Sequence, residues 1–135
     1  MKLFINKYHN QVVLYEFREE TWKDYSGRER KHEVRKDLAI LRTDHELREK
    51  VVLKFISRAR IAGLGFSAGL GFRDSLEFEM ETTEDELKKL AEVLQVSVTH
   101  TEVQDVLREY AEGRMTFEEI YDNLLPYVVA KKLKP

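Results

Sequence analysis

Apolar residues along this chain recur at two different spacings, and the places where the spacing changes mark the structural elements. Thr-x-x-Glu tetrads stand at Thr43 to Glu46, Thr83 to Glu86, Thr99 to Glu102 and Thr116 to Glu119. In a capping box the hydroxyl accepts from the third helical N–H, and the glutamate reaches back to the cap's own N–H. Each tetrad precedes apolar residues at helical intervals: Leu47, Val51, Phe55 and Ala59; Leu87, Leu90, Ala91 and Leu94; Val103, Val106, Leu107 and Tyr110; Phe117, Ile120, Tyr121 and Leu124. Cap and period agree, so they predict four helices, near 44–59, 84–95, 100–112 and 117–130. Gly113 suits a left-handed helix end, and Pro126 is expected to kink or end the fourth helix.

The remaining apolar runs read as strands. Leu3 to Tyr8 and Gln11 to Phe17 are β-rich and predict a hairpin closed by His9-Asn10, because Asn tolerates positive φ. Apolar groups lie on both faces of this pair, which implies that both faces are covered. The character then changes: 13 of residues 18 to 37 are charged, and only Trp22, Tyr25 and Val34 offer much apolar surface. With Ser26-Gly27 as a turn, this stretch reads as a solvated hairpin arm projecting from the sheet. Residues 38–41, Leu-Ala-Ile-Leu, then return to the core. A helix over 29–41 with Val34, Leu38 and Leu41 inward is a competing reading that the pattern leaves open.

Residues 62–72 repeat Ala-Gly-Leu-Gly-Phe on either side of Ser67 and hold four of the six glycines. In an extended strand, Ala62, Leu64, Phe66, Ala68, Leu70 and Phe72 share one face, and the other is bare backbone. Such a face marks a bend or a close approach by another element. Leu76, Phe78 and Met80 keep the same parity, which fits a turn at Arg73-Asp74-Ser75 with Phe72 opposite Leu76 and Leu70 opposite Phe78. The whole chain, 1–135, is therefore expected to be one α+β domain. Antiparallel hairpins form its sheet, a charged arm protrudes, and about four helices pack on it.

Composition narrows the setting. The chain has no stretch of the roughly 18 to 20 apolar residues that cross a bilayer, and Met1 to Lys7 turns polar too soon for a secretory signal. Zero cysteines exclude disulfides and thiolate metal sites. A cytoplasmic protein with no membrane partner is the expectation. The 36% charged content, with three Asn and three Gln, is a thermophile-like composition. Net charge of −2 conceals a split: residues 28–60 carry eleven Lys/Arg against six Asp/Glu, whereas residues 74–122 carry four against fifteen. These segments sum to +5 and −11, an asymmetry that suits a charged partner.

Two short motifs resemble known families. Gly-Leu-Gly-Phe, at 63–66 and 69–72, resembles the carboxylate-binding loop of PDZ domains, which implies capture of a peptide by strand addition. Leu90-Ala91-Glu92-Val93-Leu94-Gln95-Val96-Ser97 resembles the core of helix-turn-helix repressors, which implies DNA reading through residues 84–108. Gln95 stands where that family has its turn glycine. The would-be recognition helix also holds Glu102, Asp105 and Glu109 against Arg108 alone, which opposes phosphate attraction.

Catalytic patterns are missing from the sequence. His9, His32, His45 and His100 stand apart, and His45-Glu46 lacks the second histidine of a zinc helix. His45 and His100 fall at predicted helix starts, where an imidazole serves the cap region. The expectation is a non-enzymatic protein with no cofactor and no metal. Its partner-binding residues would be Trp22, Tyr25, Arg28, Arg30, Lys31 and Arg35 on the arm, with Glu102, Asp105 and Glu109 on an acidic helical face. A regulator or adaptor follows, binding a protein partner such as a nucleic-acid-handling enzyme with a basic surface. Compact chains of this kind are often encoded by phages or mobile elements that modulate host transcription machinery. Direct nucleic-acid binding through 28–60 is the alternative, and self-assembly into a homo-oligomer through the glycine strand or an exposed edge is a third class.

Overall fold

Five antiparallel strands form one sheet, in the spatial order third, second, first, fifth, fourth, in a computed structural model that describes residues 2–63 and 76–133. The strands are β1 (Lys2–Tyr8), β2 (Gln11–Lys23), β3 (Glu29–Arg42), β4 (Arg60–Gly63) and β5 (Leu76–Glu79). Between and after them come α1 (Glu46–Ile56), α2 (Glu84–Thr99), a single 3-10 turn (Thr101–Val103), α3 (Gln104–Ala111) and α4 (Phe117–Leu133). The fold is α+β, with its helices and sheet sharing one core.

Register decides which strand residues enter that core. Leu3 lies opposite Phe78, Val12 opposite Leu41, and Leu14 opposite Ala39. All six are buried in one cluster with Val51, Phe55, Leu87, Leu90, Leu94, Leu107, Ile120 and Leu124 from the helices. The opposite face holds Phe4 across from Tyr15 and Asn6 across from Val13. Asn6, Val13 and Tyr15 are themselves buried, so both faces of the β1–β2 pair carry buried side chains. Phe4 stacks on Tyr15 at 5.5 Å and meets Phe17 edge-on at 4.9 Å.

Residues 29–41 are strand, as the hairpin-arm reading expects and against the competing helix, because β3 pairs with β2 at thirteen positions on either side of one irregularity. Several other expectations are corrected. The His9-Asn10 turn exists, but positive φ among the described residues occurs only at Gly27 and Gly113. The turn is instead held from outside, by the Thr43 amide donating to the Asn10 carbonyl at 2.8 Å. That bond makes Thr43 the end of the sheet rather than a helix cap. His45 caps α1, its Nδ1 accepting from the Leu47 amide at 3.1 Å.

Thr99 also fails as a cap. It is the last residue of α2, its hydroxyl donating to the Val96 carbonyl at 3.3 Å, and Val103 precedes α3 with no side-chain cap bond. The other two tetrads do cap. Thr83 Oγ1 accepts from the Glu86 amide at 3.2 Å, and Thr116 and Glu119 form the full reciprocal pair, at 3.2 and 3.3 Å. Gly113 closes α3 in a Schellman arrangement, with its amide on the Tyr110 carbonyl and the Arg114 amide on the Glu109 carbonyl.

Pro126 does not end α4, which continues to Leu133 with Leu124 and Val128 buried on either side of it. Residues 90–97 lie inside the unbroken α2, so no turn forms at Gln95 and the helix-turn-helix reading falls. Phe78 faces Ile61 rather than Leu70. The rest of the doubled glycine segment, its Phe72–Leu76 pairing, the turn at 73–75 and the second Gly-Leu-Gly-Phe lie outside the described residues.

The cap assignments give a direct test. Thr116→Ala is expected to cost about 1 kcal/mol in urea unfolding, while Thr43→Ala, which keeps its backbone bond, should stay within roughly 0.5 kcal/mol of the parent. Equal losses at the two positions would show the caps to be misplaced.

Candidate interaction surface

The β1 strand supports β2 only from Gln11 to Tyr15, whereas β2 and β3 go on pairing to Lys23 and Glu29. Past Tyr15 the two strands form a bare ribbon of eight residue pairs, about 27 Å long at ~3.4 Å per residue. A bulge marks its root. Leu14 pairs with Ala39 but Tyr15 pairs with Asp37, so Leu38 is an extra residue in β3 and stays buried. A bulge bends the strand and increases its twist, which re-aims the ribbon relative to the sheet.

Charges clamp the root on one side. Arg18 Nη2 donates to Glu84 Oε2 at 3.0 Å, and Lys36 Nζ lies 3.6 Å from the other oxygen of that carboxylate. Arg18 also pairs with Glu16. Glu84 sits in the first turn of α2, where a negative charge suits the helix dipole. The Arg18 hydrogen bond first, then the Lys36 and Lys88 charges, hold the Glu84 carboxyl below its ordinary range. On the other face the Arg35 guanidinium lies 4.0 Å from the Tyr15 ring centroid and donates to Asp37 at 2.9 Å.

The tip is organised by one carboxylate. Asp24 Oδ1 accepts from the Ser26 hydroxyl at 2.6 Å, the Ser26 amide at 2.9 Å and the Arg28 amide at 3.1 Å, while Oδ2 accepts from Arg30 Nε at 3.0 Å. Gly27, at φ +80°, makes the turn. The Ser26 hydroxyl chiefly, and then Arg30, lower the Asp24 pKa.

Around this fixed turn stand the two aromatics singled out in the sequence. Trp22 lies opposite Arg30 and meets the His32 ring edge-on at 6.4 Å, yet is 50% exposed. Tyr25 is fully exposed at the apex. Lys31 lies 3.7 Å from Glu19, and Arg28 forms no ion pair among the described residues. Six arm residues thus share one ribbon, with Trp22, Tyr25, Arg28 and Arg30 at its tip, Lys31 midway and Arg35 at its root.

The acidic set is placed elsewhere and is partly neutralised. Glu102 is exposed in the 3-10 turn, Asp105 pairs with Arg108 at 2.9 Å, and Glu109 accepts twice from Arg114, at 2.5 and 3.0 Å. The count of −11 therefore does not become a uniform acidic face. The Arg18–Glu84–Lys36 clamp and the mutual contact of Phe4, Tyr15 and Phe17 were not legible in the sequence. The clamp's partners are 66 and 48 positions apart in the chain, and only the fold unites them. The Asp24 turn had a local signal, an Asp two residues before a Ser-Gly pair.

Several open hollows lie among the described residues. A groove of about 420 Å³ between the β3 edge and α2 is lined by Asp37, Leu38, Ile40, Lys88, Ala91 and Gln95, among others. A second, of about 400 Å³, lies beside Lys54, Arg58, Tyr110 and Phe117. Among the described residues no three His, Asp or Glu side chains converge as a metal would need, and no helix is long and apolar enough to cross a membrane.

The tip geometry carries a pH dependence. A carboxylate with a depressed folded pKa contributes order that is present above its unfolded value near 4 and is lost as pH falls through the folded value. Amide NMR should show the Ser26 and Arg28 hydrogen bonds intact at pH 6 and released in that acidic window. Asp24→Asn should weaken them at pH 6 and abolish their acid dependence. Gly27→Ala should loosen the same amides by roughly 1 kcal/mol through backbone strain alone, since a Cβ there meets nothing within 4 Å. Unchanged amides in both variants would mean that Asp24 and Gly27 do not set the turn.

In comparisons with known proteins, no protein-family model, no curated protein and no solved structure matches this chain.

Proposed function

We propose that this protein is a non-enzymatic regulator or adaptor that grips a protein partner with the tip of the β2–β3 ribbon. The observation that carries the reading is the half-exposed Trp22 and fully exposed Tyr25 on a ribbon that reaches beyond the sheet. Interface hot spots are enriched in Trp, Tyr and Arg. Here Trp22, Tyr25 and Arg28 surround a turn already fixed by Asp24, so little order has to be acquired on binding. Glu102, with Asp105 and Glu109 nearby in sequence, offers a second contact to a basic partner, such as an enzyme that handles nucleic acid.

Direct nucleic-acid binding has weaker support. Residues 18–37 carry seven Lys/Arg against six Asp/Glu, a net of +1, and Arg30, Lys31 and Arg35 each have a carboxylate at 3.7 Å or less. Few phosphate contacts are then available, and those contacts supply most nucleic-acid affinity.

Comparing Trp22→Ala with the parent in affinity capture from lysate tests the reading. The variant should fold with a loss of at most about 1 kcal/mol, as befits an exposed side chain. It should bind the captured partner at least ~30-fold more weakly, the equivalent of a hot spot of about 2 kcal/mol. Undiminished capture, or binding of bare DNA or RNA tighter than micromolar at low salt with a steep salt dependence, would replace this proposal with the alternative.

A further inference from the structure

Strand β3 is an edge of the sheet, with β2 as its one neighbour among the described residues. An edge strand offers a row of unpaired backbone groups to another strand, and high charge normally deters such pairing. This edge carries a particular order of charge. On one face of β3, Glu29, Lys31, Glu33, Arg35 and Asp37 alternate in sign without interruption. The β2 strand answers that pattern only in part, with Lys23 opposite Glu29 and Glu19 reached by Lys31 on the diagonal at 3.7 Å. Glu33 faces Glu19, a like-charge pair, Arg35 faces Phe17, and Lys31 faces Thr21. Glu33 has no ion pair among the described residues.

A strand of alternating sign is complementary to itself when two copies run antiparallel in the right register. We propose that the occupant of this edge is a second copy of the chain, paired β3 to β3 across a two-fold axis at Val34. Lys31 of each copy then lies opposite Asp37 of the other, and Glu33 opposite Arg35, which makes four favourable cross-strand pairs in an isologous interface. Val34, half-buried and apolar, meets its own copy on the axis.

Neighbouring registers are worse. An axis at Glu33 sets Glu33 on itself and Lys31 on Arg35. An axis at Arg35 sets Arg35 on itself and Glu33 on Asp37. An axis at Lys36 stacks the two lysines and keeps only the two Arg35–Asp37 pairs. An axis at His32 also makes four opposite pairs, Lys31 with Glu33 and Glu29 with Arg35, but sets His32 on itself and Arg28 against Lys36, whereas the Val34 axis places Val34 on itself and only His32 against Lys36. The ladder runs from Lys31 to Asp37 and stops at the Leu38 bulge, where β3 loses its regular pleat. Trp22 and Tyr25 belong to β2 and the turn, so self-pairing does not depend on the partner proposed above.

Sedimentation equilibrium of the full chain tests this. A dimer at tens of micromolar protein is expected at low salt, weakening at 0.5 M salt as exposed charge pairs are screened. Glu33→Lys should weaken it about tenfold without lowering thermal stability, because the change also relieves Glu19. The decisive step is mixing. Glu33→Lys and Arg35→Glu chains, each a poor self-associator, should form a mixed dimer in which all four pairs are again opposite. Should Arg35→Glu fail to fold, Lys31→Glu and Asp37→Lys supply a second complementary pair. A monomer at ~100 µM and low salt overturns the proposal, and so does a dimer indifferent to Glu33→Lys or variants that do not recover on mixing.

Discussion

A two-stranded ribbon in water is marginal by itself, so the β2–β3 arm persists only because its root is held from three directions. Leu14, Ala39 and Leu41 anchor it in the core. Arg18 and Lys36 tie one face to Glu84 on α2, and Arg35 lies over Tyr15 on the other. The Leu38 bulge makes these holds compatible. It keeps one more apolar side chain buried while shifting the register, so that beyond it Arg18 and Lys36 sit on the face toward α2. Without such a root, the organised turn at Asp24 would be a stiff tip on a loose stalk.

Charge does local work here that segment totals conceal. The basic stretch at 28–60 and the acidic stretch at 74–122 look like opposed surfaces, yet most of the arm's cations face carboxylates of the same ribbon or of α2. Exposed pairs of this kind contribute little stability each. Their effect is to leave the ribbon nearly neutral and solvated along its length. Aromatic surface at the tip and the sign order along the β3 edge then remain as the features another molecule can read.

The sequence showed the helices well because burial has a period: Leu87, Leu90 and Leu94, like Ile120 and Leu124, are wholly or almost wholly buried. Caps were half legible. Thr116 and Glu119 form a local pair, but whether Thr43 starts a helix depends on where β3 ends, which the Thr43–Asn10 bond decides from 33 positions away. Pro126 does not stop α4 for a related reason, since burial of Leu124 and Val128 holds the helix together across the missing donor, and the predicted span of 117–130 already ran through it. Strand parity predicts faces, not partners, so Phe78 could be placed on a face but not opposite Ile61. The exposure of Trp22 and Tyr25 was legible as a break in the apolar repeat. Their supports were not, because the clamp on Glu84 is a property of the assembled fold.

Two groups of aromatics on the sheet differ in what they can do. Phe4, Tyr15 and Phe17 touch one another at 4.9 to 5.7 Å close to the root, so changing any of them disturbs the ribbon's attachment. Trp22 and Tyr25 lie beyond the part of β2 that β1 supports, where the indole meets the His32 ring edge-on and stays half-exposed. A side chain in that position adds little to folding, and its loss removes little. Physical chemistry gives no stability reason to place the chain's one tryptophan on a solvated ribbon, whereas an anchor that must reach a partner's pocket belongs where its own fold does not need it. Separating support at the root from contact at the tip lets each be tuned without disturbing the other.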